Sequence, residues 1–335
     1  MSDTVPHTPE NKGVDCMALY QRGSQGPEVA KVQTRLQELG LYAGPIDGDF
    51  GGGTESAVKA FQQANNLDVD GSVGPNTWGA LFVGAAIQTP AILSAPLEQR
   101  CLALTGSFET DQAPPECFAG LTGDFDGQGI SLGVCQWNLG QGSLQPLLLE
   151  MDRAHPDVVD AIFQNHAAEF RAVLTESRDE QLSWARSIQD AQHNIIDPWR
   201  GMLKTLCRST EFQAIQTNHA NSLVAAARAL CADFGVRSQR ALALLFDIKV
   251  QNGSISDIVK AQIASDFAAL TPSADADADE VARLRVIANR RAEAANPKWV
   301  EDVRTRKLTI ANGEGTVHGR LYNLQEQYGI GLTAT

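Results

Sequence analysis

A chain of 335 residues with 43% apolar side chains has enough material for two domains with full cores. Its formal charge of -13 repels polyanions, which argues against nucleic acid and against an anionic membrane surface as partners. No stretch approaches transmembrane length, and the N-terminus, MSDTVPHTPENKGVDCM, has neither the basic start nor the apolar run of a signal peptide. The expectation is a chain made in the cytoplasm, with no membrane insertion.

Residues 1–22 are polar and read as a mobile tail. A compact unit is expected over 23–82. EVAKVQTRLQELG sets Val29, Val32, Leu36 and Leu39 on one helical face and closes on Gly40. A second helix lies in TESAVKAFQQANNL, and a short third begins at Pro75. Between them DGDFGGGT (47–54) echoes DGSVGPNT (70–77), two tight turns that each deliver the chain into a helix. For Asp47, Asp70, Thr54 and Thr77 the expected work is turn and cap chemistry.

GPEVAKVQTRLQELG, the paired DGxxG turns, AVKAFQ and the terminal TW together resemble the three-helix peptidoglycan-binding domain of bacterial wall hydrolases. The resemblance implies a wall anchor, with Tyr42, Phe50 and Gln62 as candidate contacts for wall fragments. Some relatives hold zinc there; 23–82 contains neither His nor Cys, so no metal is expected.

Residues 83–96 are small, uncharged and proline-bearing, and read as a linker tethering this anchor to a catalytic body over 97–335. That body opens on the organising stretch. LEQRCLALTGSFE spaces Leu97, Cys101, Leu104 and Phe108 as an amphipathic helix ending at Glu109, and the prolines of DQAPPE stop it. GDFDGQGISLGVCQWN is glycine-punctuated and β-like, with Asp126 at a DG turn. Two carboxyl groups on facing elements suit glycoside cleavage, which needs one protonated acid for the leaving oxygen and one carboxylate to activate water. Burial and the negative end of its own helix disfavour the ionised form of Glu109, making it the acid; Asp126, among free backbone donors, stays ionised. Asp124 is an alternative base. A solvated helix end and an ordinary DG turn would give the same pattern.

The helix-end Glu followed by DGQGISLGVCQW resembles the active-site strand of the family 46 chitosanases, of the lysozyme-like superfamily. The resemblance implies Glu109 and Asp126 as the catalytic pair, inverting stereochemistry, and Ser131, five positions after Asp126, as the hydroxyl that holds the attacking water. Gln136, Trp137 and Asn138 become candidate substrate contacts. Those enzymes also carry an acid that holds the glucosamine ammonium; the ungapped position here is Ser143, which favours acylated peptidoglycan sugars over chitosan.

Beyond this stretch the chain reads as consecutive helices, with SLVAAARALCADFG closing on Gly235. Ala241–Val250, capped by Ser238, is apolar nearly all round except Asp247 and Lys249, so Asp247 must be paired. Asn296 and Pro297 open a helix whose stripe is Trp299, Val303, Arg306 and Ile310. Arg306 on that stripe is either a snorkelling rim residue or a partner for Asp247. The chitosanase resemblance implies an arginine–aspartate–arginine network behind the catalytic Glu, filled by Arg306, Asp247 and Arg320. His318 beside Arg320 reads as a structural residue. Cysteines 16, 101, 117, 135, 207 and 231 read as small core residues, with a Cys101–Cys117 bridge open if the protein acts outside the cytoplasm. No HExxH or paired histidines occur, so neither metal nor cofactor is expected.

The expected fold is mainly α, of the α+β lysozyme-like kind: a small three-helix wall-binding domain and a larger helical catalytic domain with a short sheet at its active site. The expected activity is that of a monomeric peptidoglycan glycosidase, muramidase- or endolysin-like. The alternatives are a chitosanase, a lytic transglycosylase needing Glu109 only, and a non-catalytic wall-binding adaptor. Access to the wall would come through a phage lesion or dedicated secretion, toward thin walls poor in anionic polymers.

Overall fold

The computed structural model describes residues 20–83, 85–87 and 89–335; most of the predicted tail, with Cys16, lies outside the described residues. Three helices, α1 (Pro27–Glu38), α2 (Gly52–Ala64) and α3 (Pro75–Leu81), enclose a core of Val29, Val32, Leu36, Val58, Phe61, Trp78 and Leu81. Tyr20 closes this core. Its N–H donates to the Val73 carbonyl at 3.1 Å and its carbonyl accepts from Val73 N–H at 2.7 Å, so the ordered unit starts before Gly23.

The sequence echo is a repeated hydrogen-bond device. Gln33 Nε2 donates toward Asp47 Oδ1 (2.8 Å), the Asp49 carbonyl (2.9 Å) and Thr54 Oγ1 (3.2 Å), while its Oε1 accepts from Gly48 N–H at 2.8 Å. Gln62 does the same with Asp70 Oδ1 (2.8 Å), the Ser72 carbonyl (2.8 Å), Thr77 Oγ1 (3.2 Å) and Gly71 N–H (2.9 Å). Each buried amide thus pins one turn to the helix before it and the helix after it. This corrects the expected wall contacts: Gln62 is interior because it satisfies a turn, and Phe50 because it fills the core. Tyr42 packs half-buried against the same core, its hydroxyl donating to the Pro45 carbonyl at 2.9 Å.

The second half of the expected linker is structured. Ala91–Ser94 form a 3-10 turn, and Ile92 sits in the core of the larger body. That body continues as α4 (Leu97–Thr110), then β1 (Leu121–Thr122), β2 (Ser131–Leu132) and β3 (Trp137–Asn138). These strands form an antiparallel sheet in the order β1-β2-β3, with Ser131 opposite both Thr122 and Asn138. Six helices follow: α5 (Gln145–Ala154), α6 (Pro156–Phe163), α7 (Ala167–Thr175), α8 (Arg178–Ser187), α9 (Trp199–Arg208) and α10 (Thr210–His219). The last part comprises α11 (Asn221–Phe234), α12 (Gln239–Asn252), α13 (Asp257–Ala269), α14 (Ala276–Glu293) and α15 (Val300–Asn312). An antiparallel hairpin of β4 (Glu314–Val317) and β5 (Arg320–Asn323) leads to α16 (Leu324–Tyr328).

Two apolar clusters build this body. In one, α12 is buried among α4, α11, α14 and α15; Ser238 Oγ accepts from Ala241 N–H at 3.0 Å, as the cap reading requires. In the other, Ile130, Leu132 and Leu139 of the sheet region pack under Leu147, Met151, Phe163, Phe170, Trp199 and Leu203. Trp137 touches both clusters. The five described cysteines are free thiols, so Cys101 and Cys117 are not bridged. Among the described residues no helix is long and apolar enough to cross a membrane.

The three-helix unit is docked against the larger body through the hairpin and α16. Arg320 Nη2 lies 3.2 Å from Asp49 Oδ2, Gln21 donates to Glu326, and Gln327 donates to the Gly23 carbonyl. The seam holds a cavity of about 510 Å³ whose walls include Ser24, Glu28, Gln213 and Glu326.

Removing either hub leaves a buried turn amide without its acceptor, which costs about 1–3 kcal/mol. Gln33→Ala and Gln62→Ala should therefore each lower unfolding free energy in denaturant titrations by that amount. Gln63→Ala, on the exposed side of α2, should change it by no more than about 0.5 kcal/mol.

Candidate active site

Glu109 occupies the last turn of α4, which ends where Asp111 enters the left-handed region (φ 53°). The inner face of α4, with Cys101, Leu104, Thr105 and Phe108, is buried, while the Glu109 side chain remains 43% exposed. A Cβ on Gly106 would stand 2.3 Å from Val134 Cγ2; a glycine there lets α4 press against the turn joining β2 to β3. Burial, with the charge of Glu109 added, pushes the Cys135 thiol in that turn up to about 12.

Behind Glu109 lies a buried chain of charges. Arg306 Nη1 donates to Glu109 Oε1 at 2.6 Å. Its Nη2 donates to Asp247 Oδ1 at 2.6 Å and its Nε to Asp247 Oδ2 at 3.1 Å. Asp247 also accepts from Thr105 Oγ1 at 3.0 Å and from Lys307 Nζ, which reaches Gln251 Oε1 at 2.5 Å. The Arg306 guanidinium stands 5.0 Å from the Phe108 ring centroid. Burial opposes the charge on Asp247, yet Arg306 and Lys307 outweigh it and hold the carboxyl well below the usual carboxylate range. Burial brings Lys307 down to about 8, against the attraction of Asp247. Burial also opposes the charge on Arg306, but Asp247 and then Glu109 keep it firmly protonated.

Arg320 is not in this network, which corrects the expected arginine–aspartate–arginine set. It begins β5, facing the three-helix unit, and pairs with Asp49. Lys307 supplies the second cation. The sequence did carry a signal for it: Lys307 follows Val303 by four and precedes Ile310 by three, so it shares the inner stripe with Arg306. Thr105, one turn before Glu109 on α4, was likewise legible only by helical spacing. Trp299 lies outside the stripe, half exposed in a 3-10 turn (Pro297–Trp299) before α15.

Asp126 is exposed in the β1–β2 connection, its Oδ1 accepting from Gln128 N–H at 3.0 Å. Asp124 is different. Its buried carboxylate accepts from Gly129 N–H and from Arg186 Nε, each at 2.8 Å. Burial opposes its charge, but Arg186 and the Gly129 amide prevail and hold it below the usual carboxylate range. Asp124 braces the turn and Asp126 projects from it. The Asp126 turn lies beside Ile130 and Leu132 of one cluster, whereas α4 belongs to the other. Two-residue β2, about 7 Å of extended chain, separates that turn from the one touching α4.

Ser131 Oγ accepts from Asn138 Nδ2 at 3.0 Å. Asn138 is buried and also caps Gln141 N–H at 3.0 Å, so it is part of the sheet's own bonding rather than a substrate contact. Trp137 joins the two clusters, while Gln136, exposed, is tied to Thr122 Oγ1 (2.7 Å) and the Gly133 carbonyl (2.9 Å). Ser143 Oγ accepts from Asn138 N–H at 2.8 Å and closes the following turn.

The hairpin connects the site to the three-helix unit. The Tyr322 ring packs at 4.7 Å from that of Phe108, tilted by 51°, and its hydroxyl donates to the Ser107 carbonyl at 3.3 Å. His318, at the hairpin turn, lies 2.8 Å from Asp302 Oδ1 and 3.4 Å from Asp111 Oδ1; its hydrogen bond to Asp302 raises its pKa. Among the described residues no cluster of His, Cys, Asp or Glu could hold a metal ion.

Residues 25–81 match the peptidoglycan binding domain family. The spore cortex-lytic enzyme of Bacillus cereus is 46% identical over 59 residues, 18% of this chain and 23% of that protein. The N-acetylmuramoyl-L-alanine amidase CwlM of Mycobacterium tuberculosis is 44% identical over 57 residues, 17% of this chain and 14% of its own. The chain thus matches less than a quarter of the length of these relatives. Two solved structures are similar over the larger part of the chain. A Gynuella sunshinyii GH46 chitosanase bound to chitotetraose has TM-score 0.39 and 16% identity, covering 71% of this chain and 99% of its own. A second chitosanase complex has TM-score 0.41 and 19% identity, covering 69% and 98%. At that distance the likeness says nothing of what this chain cleaves.

The lowered Lys307 pKa fixes a pH signature. Between about 8 and its ordinary 10.5 the unfolded chain binds the Lys307 proton while the folded chain does not, so this group makes stability rise with pH across that window. Unfolding free energies measured by urea titration from pH 8 to 10 should rise more steeply in the wild type than in Lys307→Met. One proton sets the limit of that extra slope at about 1.4 kcal/mol per pH unit.

Proposed function

We propose that this protein is an anchored glycosidase: residues 20–82 hold it on peptidoglycan, and residues 97–335 cleave the glycan backbone. The observation that carries this reading is the half-exposed Glu109 carboxyl gripped by the buried Arg306 at 2.6 Å; the exposed Asp126 stands on the β1–β2 connection, one short strand along the chain from the turn that touches α4. A carboxyl held in one rotamer by buried charge is positioned to give a proton to a glycosidic oxygen. Asp126 takes the general-base role, because the buried Asp124 has one oxygen committed to Gly129 N–H in the turn and the other to Arg186 on α8. Ser131 accepts one hydrogen bond from Asn138, which leaves its own hydrogen for the attacking water. Loss of the Glu109 proton donor would leave the wall anchor untouched.

The wall as substrate rests on the anchor. Its matched stretch is what this chain shares with a spore cortex-lytic enzyme and an N-acetylmuramoyl-L-alanine amidase, and it falls in the family described as a peptidoglycan binding domain, which supports the wall as the place where the unit docks. Tethering by such a unit raises the local substrate concentration without adding chemistry. Ser143, its hydroxyl spent on Asn138, offers no carboxylate for a glucosamine ammonium; this favours acylated sugars over chitosan. The place of action that follows is the cell wall, reached through a phage lesion or dedicated secretion.

Glu109→Gln and Asp126→Asn should each lower the rate of glycan release from purified sacculi by about a hundredfold to ten-thousandfold. Pelleting with sacculi and the thermal midpoint should stay at wild-type values. Wild-type turnover in both variants would remove both residues from the chemistry.

A further inference from the structure

Phe125 is the residue before Asp126 and is 65% exposed, among the most exposed large apolar side chains of the described residues. An isolated surface Phe needs no explanation, but this one is built in. Its ring lies 5.4 Å from the ring of His193, tilted by 56°, and His193 is itself exposed. Both loops are braced from beneath. Asp124, next to Phe125, is buried on Arg186 and Gly129 N–H, and Asp124 N–H donates to Gln189 Oε1 at 2.8 Å. A Cβ on Gly123 would fall 1.8 Å from the His193 carbonyl oxygen, so glycine is what lets the two loops meet. His193 is held in the left-handed region (φ 60°) by a turn in which its N–H donates to the Asp190 carbonyl at 3.0 Å and the Asp190 carboxylate accepts from the N–H groups of Gln192 and Asn194, each at 2.9 Å.

We propose that Phe125, backed by His193, is a stacking platform for a pyranose ring of the glycan, a subsite adjoining Asp126. The inference rests on the glycosidase reading and deepens it. One face of a hexopyranose is a sheet of C–H bonds with slight positive charge; an aromatic face is apolar and carries negative charge, so the two attract and also exclude water. Hydroxyl and N-acyl groups at the ring edge stay solvated. A platform set by covalent adjacency to the base fixes one sugar relative to the bond under attack, without ordering a mobile side chain at the moment of binding.

The test measures steady-state cleavage of soluble peptidoglycan glycan oligosaccharides by the full chain and by Phe125→Ala, Phe125→Leu and Phe125→Trp. The platform requires KM to rise about threefold to tenfold in the Ala variant with kcat within twofold, the Leu variant to behave like Ala, and the Trp variant to return to the wild-type KM. Wild-type KM in the Ala variant, or full rescue by Leu, overturns the platform while leaving the glycosidase reading intact. A wild type that releases no glycan fragments overturns the glycosidase reading, and the platform with it. Circular dichroism and the thermal midpoint verify that each variant is folded.

Discussion

The molecule is organised around one buried carboxylate. Asp247 sits inside an apolar helix with no exposed surface, and an unpaired charge there could not persist. Arg306, Lys307 and Thr105 all converge on it. Such an ion cluster adds less to stability than its Coulomb attraction implies, since three charges have been stripped of water. Its value is geometric. Arg306 is locked on one side by Asp247, so the nitrogen it extends to Glu109 has almost no freedom, and the carboxyl on the surface inherits the rigidity of the interior.

The rest of the body brings other groups to that fixed point. Gly106 lets α4 lie against the β2–β3 turn, and Trp137 ties the sheet to both apolar clusters. The hairpin then joins the site to the three-helix unit, with Tyr322 on Phe108 at one side and Arg320 on Asp49 at the other. The three-helix unit thus rests against the body, and the second half of the expected linker over 83–96 is a 3-10 turn at Ala91–Ser94.

Helical periodicity made much of this legible. Val29, Val32 and Leu36 of α1 and Cys101, Leu104 and Phe108 of α4 follow from apolar spacing, although Leu39, expected on the α1 face, is exposed just past the helix end; the inward acid on the all-round apolar α12 announced a partner because burial leaves it no alternative. Legibility failed where two explanations share one pattern. Gln62 and Phe50 looked like binding residues because polar and aromatic side chains on a small module invite that reading, whereas a buried amide that satisfies a tight turn leaves the same trace. Lys307 takes the place in the network expected of Arg320. The chitosanase resemblance implies arginine at both places, whereas the helical register of α15 turns Lys307 inward onto Asp247 and leaves Arg320 on the hairpin facing Asp49. The contacts across the seam join residues about 300 positions apart, a separation local patterns do not encode.

The most direct test of the account is mass analysis of the soluble fragments that the full chain releases from purified sacculi. The two-carboxylate mechanism adds water across the glycosidic bond, so the fragments should carry reducing ends and take up heavy oxygen when the digestion is run in labelled water. Fragments ending in anhydro sugars, free of the label, would mean that no water is activated and that Asp126 is not a base. Intact glycan after complete digestion would leave the three-helix unit as the only working part of the chain.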